Sequence, residues 1–167
     1  MRRRAFSLML YAMALLPCLL VSNAAQAFIL ETLNEQRVNF MDYVEDDRWT
    51  LVMIWATDCI PCEEQKPALE AFYQKHSAAG EASVLGLVLD GRENREEMEK
   101  LNELHNPTYT NLVLLADVFH DQFQTLVGKD FRTTPTFLVF DNKGGFRGTF
   151  NGYLPFEQVS GLISTQN

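Results

Sequence analysis

The chain has 167 residues, 47% of them apolar and 12 of them phenylalanine, which is enough for one domain with a real core. It carries 14 basic and 22 acidic residues, for a net charge of −8. That balance argues against nucleic acid or an anionic membrane surface as a partner.

The first residues read as a separate object. Met1-Arg2-Arg3-Arg4 is a basic start, Ala5 to Val21 is apolar apart from Ser7, and Ser22 to Ala27 is small and polar, ending Ala25-Gln26-Ala27. This is the pattern of a cleaved secretory signal peptide over residues 1–27, with the mature domain over 28–167. An uncleaved anchor is the alternative, but the apolar run is short for a span and contains Pro17. Arg3-Arg4 also resembles part of a twin-arginine signal, although the basic region is very short. Cys18 lies in the apolar run after Pro17, where a lipoprotein cysteine would need a small residue, so it is expected to leave with the signal. Loss of the leader's three arginines leaves 11 basic and 22 acidic residues, net −11. The expected location is periplasmic or secreted, with no stable membrane association after cleavage.

Phe28 to Phe40 holds short apolar pieces around the turn-like Asn34-Glu35-Gln36, which suggests two short strands or a hairpin. Met41 to Asp47 suggests one helical turn and a loop. Thr50 to Ala56 is a continuous apolar run, hence a buried central strand. Ile60 to Ala79 reads as helix, with Leu69, Phe72 and Tyr73 on one face, a kink expected at Pro67 and Gly80 as the stop. Ser83 to Leu89 reads as a second buried strand. Arg92 to His105 reads as an amphipathic helix with Met98, Leu101 and Leu104 inward. Asn111 to Ala116 reads as strand, and Phe119 to Val127 as a helix ended by Gly128. Thr136 to Phe140 and Phe146 to Asn151 read as a hairpin turning at Asp141 to Gly145. Pro155 to Ser164 reads as a closing helix. Strands alternating with helices, then a hairpin, give an α/β fold with a part-parallel, part-antiparallel sheet. Phe119, Phe123, Phe131, Phe137 and Phe140 are expected in the core; for Phe131 an apolar contact near residue 135 is the alternative.

The chemistry concentrates at Trp55-Ala56-Thr57-Asp58-Cys59-Ile60-Pro61-Cys62. A strand delivers two cysteines, two residues apart, into a helix start. The helix dipole and unpaired N–H groups there favour a thiolate on the first cysteine, and the thiolate is the nucleophile of disulfide exchange. Cys59 and Cys62 would be the only cysteines of the mature chain. In an oxidising compartment a single close pair points to catalysis rather than a scaffold. A structural disulfide or half a zinc site is the alternative, but zinc needs two more ligands. His76, His105 and His120 show no metal-ligand spacing and are read as solvated helix residues, so no metal and no cofactor is expected. Pro61 suits a first helical turn. Asp58, Glu63 and Glu64 place negative charge near the pair and would partly offset the helix dipole.

With these motifs the sequence resembles the thioredoxin superfamily, and more narrowly the exported TlpA/ResA-like thiol-disulfide oxidoreductases. The residues that carry the resemblance are Trp55-Ala56-Thr57, Cys59-Ile60-Pro61-Cys62, Pro67, Thr133-Thr134-Pro135-Thr136-Phe137 and Phe140-Asp141-Asn142-Lys143-Gly144. It implies a thioredoxin fold: a central mixed sheet flanked by helices, with extra N-terminal strands and a central α/β insertion over Arg92 to Ala116. It implies that Cys59 attacks and Cys62 resolves, that Pro135 is cis, and that Thr134 and Pro135 line the substrate groove, with Trp55 and Pro61 in support. It also implies a disulfide-containing protein substrate and a membrane thiol transporter as electron donor. Cytochrome c maturation or disulfide repair are the roles of such relatives.

Several positions depart from that pattern. Met53 stands where minimal thioredoxins carry a buried Asp, and Gln65 where TlpA/ResA-like proteins often carry Glu. Glu63, Glu64 or water then remain as proton acceptors for Cys62. Asp58 replaces a frequent Trp. Thr136 replaces the Glu that follows the cis-proline in dedicated cytochrome-maturation proteins. A dithiol oxidase or isomerase and a non-enzymatic copper-binding module on the same fold remain as alternatives. A peroxidase of the related peroxiredoxin class would want Thr where Ala56 stands.

Overall fold

The structure, a computed structural model, describes residues 28–44 and 47–166. The expected signal peptide therefore lies outside the described residues, as does Cys18. Seven strands form one mixed sheet: β1 (Ile29–Glu31), β2 (Arg37–Asn39), β3 (Trp49–Trp55), β4 (Ala82–Val88), β5 (Thr110–Leu114), β6 (Thr136–Phe140) and β7 (Phe146–Asn151). Their spatial order is β2-β1-β5-β4-β3-β6-β7. The trio β3, β4, β5 is parallel, and the flanking pairs are antiparallel. The helices are α1 (Ile60–Ala78), α2 (Arg95–His105), α3 (Ala116–Val127) and α4 (Phe156–Gln166), with a short 3-10 turn at Phe40–Tyr43. Among the described residues, no helix is long and apolar enough to cross a membrane.

Strand β3 is buried along its whole length because both faces of the sheet are covered. Its odd residues Trp49, Leu51, Met53 and Trp55 share a core with Leu69 and Phe72 of α1, Met98 of α2, and Val159 and Ile163 of α4. Its even residues Val52 and Ile54 pack with Phe119 and Phe123 of α3 and with Phe28 and Phe40. This is period-two alternation with apolar residues on both sides, as a parallel strand under helices requires. Phe137 and Phe140 are core residues. Phe131 is half-buried and packs edge-on against Phe119 and Phe123.

Expectations change in α2 and α3; α3 begins at Ala116, expected as the end of a strand, rather than at Phe119. Leu104, expected inward, is 74% exposed. Steps of three from Met98 drift around a 3.6-residue helix. After Met98 the inward positions are Leu101, which packs on the core, and Asn102 and His105, whose side chains bond to Asn111 and Glu63. The helix also begins at Arg95 rather than Arg92, because Arg92 turns away to pair with the buried Glu31 of β1. Pro67 lies inside α1 without ending it.

Candidate active site

Four segments meet at one edge of the sheet. In the parallel pair β3 and β4 the carboxyl ends point the same way, and antiparallel β6 starts where β3 finishes. The end of β7 lies beside the start of β6, with Thr136 opposite Asn151. Such edges are where open α/β sheets place their chemistry.

The loop after β3 delivers Cys59 to the N-cap of α1, with Ile60 and Pro61 in the first turn. Proline is tolerated there because first-turn N–H groups lack intrahelical partners. Cys59 and Cys62 form a disulfide with their Cα atoms 5.2 Å apart. The Cys62 N–H donates to Cys59 Sγ at 3.2 Å, so the outer sulfur already has a helix-end donor. Cys59 is 6% exposed and Cys62 fully buried, whereas Ile60 between them is 71% exposed.

Asp90, just past β4, holds this loop. Its carboxylate accepts from the Thr57 N–H at 3.0 Å, from the Thr57 hydroxyl at 2.6 Å and from Asn94 Nδ2 at 2.9 Å. Partial burial works against its charge, but the Thr57 and Asn94 donors outweigh that and hold its carboxyl below the usual range.

Behind the dithiol, Trp55 is buried and its Nε1–H makes a long bond of 3.4 Å to Asn111 Oδ1. Asn111 in turn donates to Asn102 Oδ1 at 3.4 Å. This needs Gly86, since a Cβ there would stand 1.9 Å from Asn111 Oδ1. On the same indole, Lys66 Nζ sits 3.5 Å from the ring centroid, a cation–π contact. Lys66 is only 4% exposed. Its Nζ is 2.6 Å from Glu63 Oε1, a close ion contact without hydrogen-bond alignment. Burial lowers the Lys66 pKa, and Glu63 only partly offsets this. Glu63 Oε2 lies 2.6 Å from His105 Nε2.

These contacts correct the reading of the histidines and acids. His76 is 2% exposed, bridging Glu81 and Ser160 at 2.8 Å each. His105 is half-buried against Glu63. His120 alone of the three is exposed. Glu63 is matched by Lys66 rather than left facing the sulfurs, and Glu64 accepts from the Tyr153 hydroxyl.

Across the edge, the Thr134–Pro135 bond is cis, as expected. Ile54 pairs with Thr136, so Pro135 falls one step further, opposite Trp55. The Pro135 carbonyl accepts from the Gly152 N–H at 2.8 Å. The Thr136 hydroxyl donates to the Thr133 carbonyl at 2.6 Å and lies 2.8 Å from Asn151 Oδ1. Gln65, buried on α1, donates from Nε2 to the Gly152 carbonyl at 3.2 Å and accepts at Oε1 from the Leu154 N–H at 2.7 Å.

The AhpC/TSA family profile matches residues 21–148, more than half of the sequence. The chain belongs to the AhpC/TSA family. No curated protein matches it. Among solved structures, it is similar to the thioredoxin domain of a thiol-disulfide oxidoreductase from Bacteroides vulgatus. That pair shares 21% identity, covers 83% of this chain and 94% of the other, and has a TM-score of 0.66. StoA from Bacillus subtilis is similar at 18% identity, covering 81% of this chain and 94% of its own, with a TM-score of 0.62. A thiol:disulfide interchange protein of the thioredoxin family from Chlorobium tepidum TLS is similar at 15% identity, 83% and 92% coverage, and a TM-score of 0.67. The fold is thus the thioredoxin-like α/β fold of thiol-disulfide oxidoreductases.

The residues singled out in the sequence, Trp55, Cys59, Pro61, Cys62, Thr134 and Pro135, come together at this edge. Asp90, Lys66, Asn111 with Gly86, and Gly152 were missed. Asp90 carried a usable signal, an acid placed just past a buried strand. Lys66 carried none, since it sits in a charged helical stretch that reads as solvated.

Proposed function

We propose that this protein is an exported thiol-disulfide oxidoreductase that reduces protein disulfides through Cys59 and Cys62. The observation that carries the reading is the cysteine pair at the N-cap of α1, with the outer sulfur accepting a helix-end N–H and the cis-proline loop at the same edge of the sheet. In the reduced protein the Cys59 thiolate attacks one sulfur of a substrate disulfide, forming a mixed disulfide and releasing one substrate thiolate. The Cys62 thiolate then attacks Cys59 Sγ, which re-forms the Cys59–Cys62 bond and frees the second substrate thiolate. Two electrons pass from the dithiol to the substrate. Water then remains as the acceptor for the Cys62 proton, since Glu63 is matched by Lys66 and His105 and Glu64 is turned to Tyr153.

Thr134, half-buried before the cis-proline, would offer main-chain groups to an extended substrate segment, which pairs as an added strand. Trp55 backs the dithiol, and Pro61 shapes its turn. The leader pattern supports a periplasmic or secreted location. A dithiol donor is then needed for re-reduction, and a membrane thiol transporter is the class implied. Apocytochrome c is one candidate substrate. Ala56 stands where the peroxidase class carries Thr, which weighs against peroxide reduction.

The test is a Cys62→Ser trap. The reading expects mixed disulfides to accumulate through Cys59 and to vanish in the Cys59→Ser, Cys62→Ser double variant. Absence of trapped partners, together with no reduction of insulin disulfides by the wild type, would sink it.

A further inference from the structure

Gln65 is buried on the dithiol helix, one turn past Cys62, and both ends of its amide are used on one loop. The Nε2–H group donates to the Gly152 carbonyl, and Oε1 accepts from the Leu154 N–H. Gly152 then passes the connection on, because its own N–H donates to the Pro135 carbonyl at 2.8 Å. A continuous chain of hydrogen bonds therefore runs from α1 through Gly152 to the cis-proline. Gly152 has φ +85°, a left-handed conformation that favours glycine. The neighbouring Tyr153 hydroxyl adds a second tie to α1 at Glu64. The sulfurs are carried by α1 and the cis-proline by the start of β6, and this loop joins the two.

We propose that Gln65 is a positioning residue that sets the cis-Thr134–Pro135 loop against the dithiol, by holding Gly152 so that it can bond Pro135. This rests on the oxidoreductase reading and deepens it, since it assigns the substrate-facing loop a mechanical tie to the reacting helix. The requirement is for one donor and one acceptor in a single side chain, pointing to two main-chain groups. Glutamine meets it. An ionised glutamate keeps the bond to the Leu154 N–H but sets an oxygen against the Gly152 carbonyl, so the link towards Pro135 is lost. If position 65 served instead as a proton-carrying site, glutamate would be the favourable residue. A buried glutamate that stays protonated would keep both bonds, so Gln65→Met, which can make neither, is the variant that tests the clasp.

The test compares wild type, Gln65→Glu and Gln65→Met, measuring reduction of a disulfide-linked peptide pair and of 2-hydroxyethyl disulfide. A bound peptide segment uses the cis-proline loop, whereas the small disulfide needs little beyond the sulfurs. Displacements of the order of 1 Å cost up to about 100-fold in rate. Gln65→Met should therefore lose about 10- to 100-fold in kcat/KM for the peptide, mainly through KM, and Gln65→Glu should do so only where its carboxyl is ionised. The loss for the small disulfide should be at least about tenfold smaller. In Gln65→Met, hydrogen exchange at the Gly152 amide should accelerate at least about tenfold. A Gln65→Met protein as active on the peptide as wild type overturns the proposal, as do equal losses on both substrates or unchanged Gly152 exchange in that variant. A wild type inert towards both disulfides defeats the oxidoreductase reading, and with it the proposed role of the clasp, whatever Gly152 exchange shows.

Discussion

Asp90→Ala removes the carboxylate that organises the loop carrying Cys59. Three donors lose their acceptor: the Thr57 N–H, the Thr57 hydroxyl and Asn94 Nδ2. A hydrogen bond to a charged group contributes about 1.5–3 kcal/mol when buried. Asp90 is only partly buried, so water can replace part of this, and about 1 kcal/mol per bond is the discounted figure. The expected loss is about 2–3 kcal/mol, which for a domain of this size lowers Tm by roughly 6–12 °C. The pH dependence gives an independent check. The folded pKa of Asp90 is depressed, so its contribution is full above the unfolded value, near 3.9, and fades as pH falls through the folded value. Calorimetry of the oxidised proteins should show the full Tm gap from pH 5 to 7 and a narrowing gap below about pH 4. A Tm drop under about 2 °C at pH 7, or a gap unchanged at pH 3, would refute the assignment of these bonds as the anchor.

Gly86→Ala should cost about 2–4 kcal/mol, because the added methyl displaces Asn111 and strands the Trp55 Nε1–H. In an Asn111→Ala background the same change should cost less than half as much, measured by urea unfolding. Lys66→Met keeps packing on Trp55 and removes a buried charge, so stability at pH 7 should change by about 1 kcal/mol or less. The folded pKa of Lys66 is lowered, so the unfolded chain binds more protons between that value and about 10.4. Wild type should therefore gain stability relative to Lys66→Met as pH rises from 7 to 10, and a falling difference would contradict the burial argument. Asp58 stays exposed beside the sulfurs while Glu63 is matched by Lys66. The dithiol is expected nearer the thioredoxin potential, about −270 mV, than the DsbA value, about −120 mV. Equilibration with glutathione or dithiothreitol checks this, and a midpoint above about −180 mV would favour the oxidase or isomerase alternative.

Most elements were legible in the chain because their signals are local. A continuous apolar run marks β3, and β6 and β7 begin and end at the expected residues. The cis peptide followed from the family resemblance carried by Thr133-Thr134-Pro135-Thr136-Phe137, rather than from any energy calculable along the chain. Boundaries moved where a side chain found a distant partner, as Arg92 did at Glu31. The face of α2 was misjudged at Leu104 because apolarity was weighed above helical phase. At the inward positions two polar residues, Asn102 and His105, find partners on β5 and α1.

The chain itself names the candidate pair. Cys59 and Cys62 are joined to a helix start by four residues of covalent geometry, so their chemistry needs no distant information. What surrounds them is set by tertiary contact. Asp90 meets Thr57 across 33 positions, and Gln65 meets Gly152 across 87. Lys66 is buried because Trp55 and Glu63 lie over it. Polar side chains read as solvated until the fold supplies a partner and excludes water, and that exclusion depends on strand order and register that no local pattern encodes.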